Sequence, residues 1–232
     1  MARSRRSRPC HRATWLFVLI LDTTGRFESL AVGTSSKFRS WACPVARIAA
    51  DEYVAIMSRS HLLLIGGRSG VGKSTVAAEV HRQLSERGVH HAWIEGDNLD
   101  MAFPVPWKQG YNLAEANLAA IWSNYRAHGY TRLIYVNTAS VFGHVIEALT
   151  TAVGDDPMVT GVLLTSSDEV AEQRLVQREV GGGLDYAVGR SREAALELEA
   201  SAPEEVTRLD TDGRSPTDLA AEIVQLTGWC AG

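Results

Sequence analysis

The fold of this chain is decided by the stretch LLLIGGRSGVGKST at residues 62–75. Its apolar start has the length and composition of a buried strand, and residues 74–87 repeat apolar side chains with a helical period. Between strand and helix, residues 67–74 (GRSGVGKS) satisfy the spacing G-x-x-x-x-G-K-[ST] of a P-loop. The sequence therefore predicts a strand, a glycine-rich loop and a helix in direct succession.

The glycine-rich loop has the composition that a triphosphate requires. A chain that wraps around phosphates must point several backbone N–H groups inward, which takes glycines that tolerate positive φ, and the helix that follows adds its positive dipole end. The spacing predicts that Lys73 binds the β and γ phosphate oxygens and that the Ser74 hydroxyl coordinates Mg²⁺. We therefore predict ATP and Mg²⁺ as cofactors. The predicted nucleotide-binding residues are Gly67, Arg68, Ser69, Gly70, Val71, Gly72, Lys73, Ser74 and Thr75.

The region after residue 60 alternates apolar runs of strand length with stretches of helical period. This alternation is typical of βαβ units around a parallel sheet. It predicts a three-layer α/β fold of the P-loop NTPase type with a parallel five-stranded sheet. The predicted strands are residues 62–65, 91–95, 133–136, 159–164 and 206–209. Helices are expected to begin at capping residues near Asn112, Ser166 and Ser215, and a further helix is expected over 193–200.

Charge divides the chain into two parts. Residues 1–57 carry nine Lys and Arg against four Asp and Glu, whereas residues 58–232 carry fourteen against twenty-three. We predict that residues 1–57 are an N-terminal extension, disordered or not part of the native chain, and that residues 58–232 are the functional domain. An acidic domain disfavours nucleic-acid binding, because affinity for a polyanion comes mostly from clustered Lys and Arg.

Composition excludes several other classes of protein. Hydrophobic residues make up 45% and charged residues 22%, as in an average globular protein. The three cysteines, Cys10, Cys43 and Cys230, have no paired spacing that would indicate a disulfide framework or a zinc site. The apolar run at residues 15–21 is far shorter than the roughly 20 residues of a membrane span. We predict a cytoplasmic protein with no membrane partner, and oligomeric state is left open.

These motifs resemble a family, the small-molecule P-loop kinases, which includes adenylylsulfate kinase, gluconate kinase, shikimate kinase and the nucleoside monophosphate kinases. The local resemblance is to adenylylsulfate kinase, in GRSGVGKST, in Gly96-Asp97-Asn98 after the second strand and in the layout of residues 117–140. Two features depart from that kinase: Asp100 stands where an arginine is typical, and residues 179–192 replace a lysine-rich segment. The resemblance implies a kinase-like fold with a small lid.

Asp97 is the predicted catalytic carboxylate on the acceptor side. It ends the second strand, which we expect to neighbour the P-loop strand, and open α/β sheets bind ligands at that edge. The resemblance implies that Asp97 accepts the proton of an attacking hydroxyl or helps Ser74 to hold Mg²⁺; a turn residue is the plain alternative. Asp100 is a weaker candidate for sharing the metal. Related kinases often carry an acid where this chain has Asn137. Either Asp97 alone therefore holds the waters around the metal, or Mg²⁺ is held weakly.

Arginines around a glycine-rich segment resemble the lid of these kinases. The resemblance implies that Arg174 and Arg178 act in catalysis by neutralising charge on the transferred phosphoryl, with Arg190 and Arg192 across the segment Gly181–Gly183. A solvated helix face paired with glutamates is the alternative for each arginine. The segment 211–215 resembles the loop that packs against adenine, and Trp107 is the candidate for contact with the acceptor.

The sequence thus predicts an ATP-dependent phosphotransferase that moves the γ-phosphoryl of Mg·ATP to a hydroxyl or phosphate of a small molecule. The alternative is a nucleotide-binding regulatory ATPase or switch without a small-molecule acceptor. An acceptor pocket between Asp97 and Trp107 would distinguish the two, since a switch does not need one.

Overall fold

The computed structural model describes residues 16–21, 27–32, 59–178 and 183–230, and for 16–21, 27–32 and Arg178 the backbone alone. The chain divides into two compact units, Met1–Met57 and Ser58–Gly232. In the first unit, strands β1 (Leu16–Leu21) and β2 (Phe27–Val32) pair antiparallel. The proposal that this segment lies outside the native functional chain stays a prediction.

The second unit alternates strands and helices along its length, as the apolar periodicity predicted. A short 3₁₀ turn, Gly96–Asn98, follows the second strand of this unit, and another, Pro106–Gln109, precedes its second α-helix. The elements, in chain order, are β3 (His61–Gly67), α1 (Lys73–Glu86), β4 (Ala92–Glu95), α2 (Leu113–Ala127), β5 (Arg132–Val136), α3 (Gly143–Val153), β6 (Met158–Thr165), α4 (Asp168–Arg178), α5 (Leu184–Ser201), β7 (Thr207–Asp210) and α6 (Pro216–Thr227).

The five strands β3 to β7 form one parallel sheet in the order β4-β5-β3-β6-β7. This confirms the predicted three-layer α/β fold with a parallel five-stranded sheet. The expectation that the Asp97 strand neighbours the P-loop strand is wrong, because β5 lies between β4 and β3. Asp97 still lies at the carboxyl edge of the sheet, where the P-loop also lies, because all five strands run in the same direction.

Side chains of the central strand alternate between two apolar cores, as the period of two in a strand requires. Leu63 and Ile65 face the core that α1 and α6 cover, whereas Leu62 and Leu64 face the core that α2 and α3 cover. All four are at most 1% exposed. β3 is therefore buried on both faces, which is why it is a continuous apolar run in the sequence. No helix in the described part of the chain is long and apolar enough to cross a membrane.

Helix starts follow local capping chemistry at some places and tertiary contacts at others. The Ser215 hydroxyl accepts from the Asp218 N–H and caps α6, as predicted. At α4 the cap is Ser167, whose hydroxyl accepts from the Val170 N–H, and not Ser166. α5 begins at Leu184, well before the expected residue 193.

Ser60 joins three elements at the amino edge of the sheet. Its hydroxyl accepts a hydrogen bond from the Trp122 indole Nε1 at 3.1 Å and donates to the Asp155 carboxylate at 2.9 Å. Ser60 is 0% exposed and Trp122 is 1% exposed, so water cannot replace the bond between them. The hydroxyl therefore satisfies the indole N–H that α2 brings into the core.

We expect Ser60→Ala to destabilise the domain by about 1–3 kcal/mol, because it leaves the buried Trp122 N–H without an acceptor. Urea unfolding followed by circular dichroism measures the loss. Ser123→Ala, on the exposed side of α2, is the matched control and should change stability by no more than about 0.5 kcal/mol. Equal midpoints for the two variants would contradict this role of Ser60.

Candidate active site

The P-loop glycines adopt backbone angles that other residues rarely reach. Gly67, Gly70 and Gly72 have φ of 140°, 85° and 102°. A Cβ on Gly67 would lie 2.6 Å from the Leu164 carbonyl oxygen, whereas one on Gly72 would meet no atom within 4 Å. The first glycine therefore allows the loop to pack on the neighbouring strand β6. The last faces open space at the start of α1, where a phosphate would approach.

The start of α1 presents the predicted phosphate-binding groups together. Lys73 Nζ donates to the carbonyl oxygens of Gly67 at 2.8 Å and Arg68 at 3.1 Å, which holds the ammonium over the loop. Ser74 and Thr75 are exposed. No side chain caps the helix and no acidic residue lies in its first turn, so its N-terminus is electrostatically suited to an anion.

Arg68 was predicted to bind nucleotide, but its side chain points away from the open face of the loop. The guanidinium is buried, with Nε donating to the Ser191 hydroxyl at 2.8 Å and Nη1 donating to the Asp168 carboxylate. The Ser191 hydroxyl in turn donates to the Ser69 carbonyl at 2.7 Å. Arg68 thus ties the loop to α4 and α5, and any contact it makes with nucleotide would be through its backbone.

Sequence reasoning missed Asp168 and Ser191 as partners of the P-loop. They are 100 and 123 residues away from Arg68, and no spacing rule connects them. The hydrogen bond from Arg68 is the main cause that lowers the pKa of Asp168 below its usual range. The Asp168 carboxylate therefore stays charged through the neutral pH range and balances the charge of the buried Arg68 guanidinium.

The predicted lid arginines occupy different environments. Arg174 Nη1 donates to the Val71 carbonyl at 2.9 Å and to the Thr211 hydroxyl at 3.0 Å, which places it between the P-loop and the loop after β7. Arg192 pairs with Glu172 at 2.9 Å and with Asp168 at 3.4 Å, as the solvated-face alternative anticipated. The side chain of Arg178 and residues 179–182 lie outside the described part of the chain, and Arg190 is exposed.

Asp97 lies at the end of β4, in the turn Gly96–Asn98, and is exposed. Its Oδ1 accepts a hydrogen bond from Asn137 Nδ2 at 2.6 Å, and Asn137 Oδ1 accepts from the Ala139 N–H at 2.8 Å. Asn137 N donates to the carbonyl of Ile65 on the P-loop strand at 3.3 Å. Asn137 therefore bridges the Asp97 carboxylate to the strand that carries the P-loop.

Tyr135 lies against Gly96, the residue before Asp97, and was not found by sequence reasoning. A Cβ on Gly96 would lie 2.4 Å from its hydroxyl oxygen, so only glycine fits at the end of β4. Burial, and then the carboxylates of Glu115, Asp97 and Asp100, raise the pKa of the Tyr135 hydroxyl. The hydroxyl therefore keeps its proton at physiological pH and is a permanent hydrogen-bond donor.

Two surface cavities in the described part of the chain lie away from this site. One is lined by α2 and the residues that follow it, the other by α4, and neither includes the P-loop or Asp97. Among the described residues, no group of three His, Cys, Asp or Glu side chains could hold a metal ion by itself. Trp93 and Trp122 pack in or against the core, whereas Trp107 is 65% exposed.

Comparison with known proteins gives one match by sequence and several by structure. Residues 59–104 match the family model of adenylylsulphate kinase. A gluconokinase from Sinorhizobium meliloti 1021 is 17% identical, with a TM-score of 0.51 over 72% of this chain and 91% of that chain. A tunicamycin resistance protein from Deinococcus radiodurans is 21% identical, with a TM-score of 0.51 over 73% of this chain and 96% of that chain. A search of curated proteins found no match.

At these identities the solved structures show the fold, and the matched segment contains both the P-loop and Asp97. Together they confirm the predicted resemblance: this chain has the α/β fold of P-loop small-molecule kinases and carries the adenylylsulphate kinase pattern in residues 59–104.

Proposed function

We propose that this chain is a small-molecule kinase that transfers the γ-phosphoryl of Mg·ATP to an oxygen of a small acceptor, in the cytoplasm, where ATP is supplied. The observation that carries the proposal is the P-loop: a left-handed Gly72, an ammonium held over the loop and an uncapped helix start converge on one open face. Asp97 at the same edge of the sheet supplies a carboxylate for the acceptor.

Binding of the triphosphate falls to the loop and the start of α1. Backbone N–H groups of the loop would donate to phosphate oxygens, and Lys73 Nζ would exchange its carbonyl partners, Gly67 and Arg68, for the β and γ oxygens. Ser74 lies one residue further along the exposed helix start. These groups neutralise a polyanion without a rearrangement of the sheet.

The base of the nucleotide would lie on the far side of the loop, toward Thr211. Arg174 is held there by Val71 and Thr211, which suits a planar guanidinium that stacks on a purine. Asp212, which follows Thr211, accepts a hydrogen bond from the Ser167 N–H at 3.0 Å and so fixes this loop against the start of α4. Because Arg174 is assigned to the base in this arrangement, Arg178, at the end of α4, would be the arginine that neutralises charge on the transferred phosphoryl.

Mg²⁺ fits the donors present, because hydroxyl and carboxylate oxygens are the ligands that it takes alongside phosphates. Ser74 would hold it directly, with Asp97 as a ligand directly or through water. When bound, the ion supplies positive charge to the β and γ phosphates. Asp97 would also accept the proton of an attacking hydroxyl, and its bond from Asn137 Nδ2 at 2.6 Å orients the carboxylate for that transfer.

We expect Lys73→Ala to lower phosphoryl transfer by about 10²-fold or more, because it removes the positive charge that faces the transferred group. The assay is ADP release with a panel of hydroxylated metabolites, nucleosides and nucleotides as acceptors. Arg82→Ala, on the exposed surface of the same helix, is the control; it breaks ion pairs to Glu79 and Glu86 and should leave the rate unchanged. Normal kinetics in Lys73→Ala would rule out the P-loop as the active centre.

Asp97→Asn separates the roles assigned to this carboxylate. If Asp97 is the base, the transfer rate should fall by about 10²–10⁴ while the Mg·ATP dissociation constant stays constant. If it mainly holds the metal, affinity for Mg·ATP should fall, and added Mg²⁺ should restore part of the rate. Calorimetric titration and the rate assay measure the two quantities. Asp156→Asn, at the opposite edge of the sheet, is the control, and unchanged values in Asp97→Asn would identify a plain turn residue.

A further inference from the structure

Three carboxylates of the acceptor side act on one hydroxyl. The Tyr135 hydroxyl lies against Gly96, the residue before Asp97, and the charges of Glu115, Asp97 and Asp100 add to the burial that raises its pKa. Asn117, two residues beyond Glu115 on α2, donates from Nδ2 to the Leu99 carbonyl at 2.6 Å and holds α2 against the loop that carries Asp100. The region between the end of β4 and the start of α2 is therefore negatively charged.

No cation balances this charge among the described residues. Residues 96–118 contain one basic side chain, Lys108. Its Nζ lies 5.2 Å from the centroid of the Trp107 ring. The ion pairs of the described residues involve other carboxylates. An acceptor with a carboxylate, sulfate or phosphate would meet repulsion from these carboxylates, and no guanidinium within residues 96–118 offsets it.

The Tyr135 hydroxyl is a donor without a partner at this place. The residue is 4% exposed, and its hydroxyl has no hydrogen bond within the described residues and is not fully enclosed. The ring is buried while its hydroxyl reaches the surface unpaired, so the hydroxyl is a donor held in a fixed position that a bound molecule can use in place of water. The oxygen of a bound alcohol or ether would accept this hydrogen bond.

The loop that connects the acids to α2 presents apolar side chains to solvent. Four large apolar side chains in this segment are mostly exposed, and exposed apolar side chains that cluster mark binding surfaces. The exposed fractions are 75% for Met101, 97% for Phe103, 65% for Trp107 and 67% for Tyr111. These side chains follow Asp97 and Asp100 directly in sequence, so apolar surface and negative charge occur on one short segment.

We propose that the acceptor is a non-anionic alcohol with an apolar body, selected by Asp100 and Glu115 against anions, bonded by Tyr135 and covered by the aromatic side chains of residues 101–111. The proposal rests on the kinase function above and names its substrate class. The acceptor oxygen forms a bond to the γ-phosphorus, the bond from that phosphorus to the β,γ-bridging oxygen breaks, ADP leaves, and the hydroxyl proton goes to Asp97.

A matched series of benzyl alcohols tests the charge selection. The probes are 4-(hydroxymethyl)benzoate, benzyl alcohol and 4-(aminomethyl)benzyl alcohol, which share one aryl body and carry negative, zero and positive charge. Their dissociation constants are measured by NMR titration of the full chain saturated with Mg²⁺ and a non-hydrolysable ATP analogue. We expect the anion to bind about tenfold or more weakly than the neutral alcohol, and the cation at least as tightly as the neutral one.

Variants test which residues cause the charge selection. The double variant Asp100→Asn with Glu115→Gln should lower the ratio of the anion's dissociation constant to that of the cation severalfold. Glu205→Gln, at the amino edge of the sheet, should not change this ratio. Phe103→Ser should weaken the neutral probe, and Leu226→Ser, which removes an exposed apolar side chain elsewhere, should not. Tyr135→Phe should weaken all three probes by a similar factor and leave their order intact, since it removes a hydrogen bond and no charge.

Equal or tighter binding of the anion, or no binding of any probe, would overturn the proposal. An unchanged charge ratio in the Asp100 and Glu115 variant would overturn it too. Failure of the kinase function has a different signature: the expected order of binding, with no phosphorylated product by mass spectrometry for any probe when ATP replaces the analogue.

Discussion

The contact on which the rest of the structure depends is the close approach of the P-loop to its neighbours. Gly67 lies against the Leu164 carbonyl and Gly70 against the Ala171 carbonyl. A Cβ added to either glycine would lie 2.6 Å from the carbonyl oxygen that it faces. These two glycines let the loop sit between β6 and α4, and their positive φ values give the loop its curvature. The position of Lys73 and the open start of α1 follow from that seating.

Arg68 ties the same loop to α4 and α5. A buried guanidinium costs much free energy unless it is paired, and here Asp168 on α4 and Ser191 on α5 supply the partners. The side chain at a position that the motif leaves variable thus holds α4 and α5 at the P-loop. A shift of the loop would act on the first residue of α4 and on the middle of α5, since they share these bonds.

The two halves of the candidate site have opposite electrostatic character. The P-loop side offers an ammonium and a helix N-terminus, both suited to a polyanion. The other side offers Asp97, Asp100 and Glu115, whose charges act on the Tyr135 hydroxyl. Asn137 joins the halves, because it binds Asp97 through its side chain and the P-loop strand through its backbone. Under the proposed function, this polarity would keep the triphosphate and the acceptor in their own halves.

The sequence by itself determined the strand, loop and helix around the P-loop, the five strands and the Ser215 cap, because each depends on neighbours within a few residues. Asp97 was also identified locally, as the acid at a strand end. Only the tertiary structure decided that β5 separates β4 from β3, that Arg68 turns inward to Asp168 and Ser191, and that Tyr135 rises beneath Gly96. Those outcomes depend on strand order and on contacts between residues that can be more than 100 positions apart, which no local period or spacing encodes.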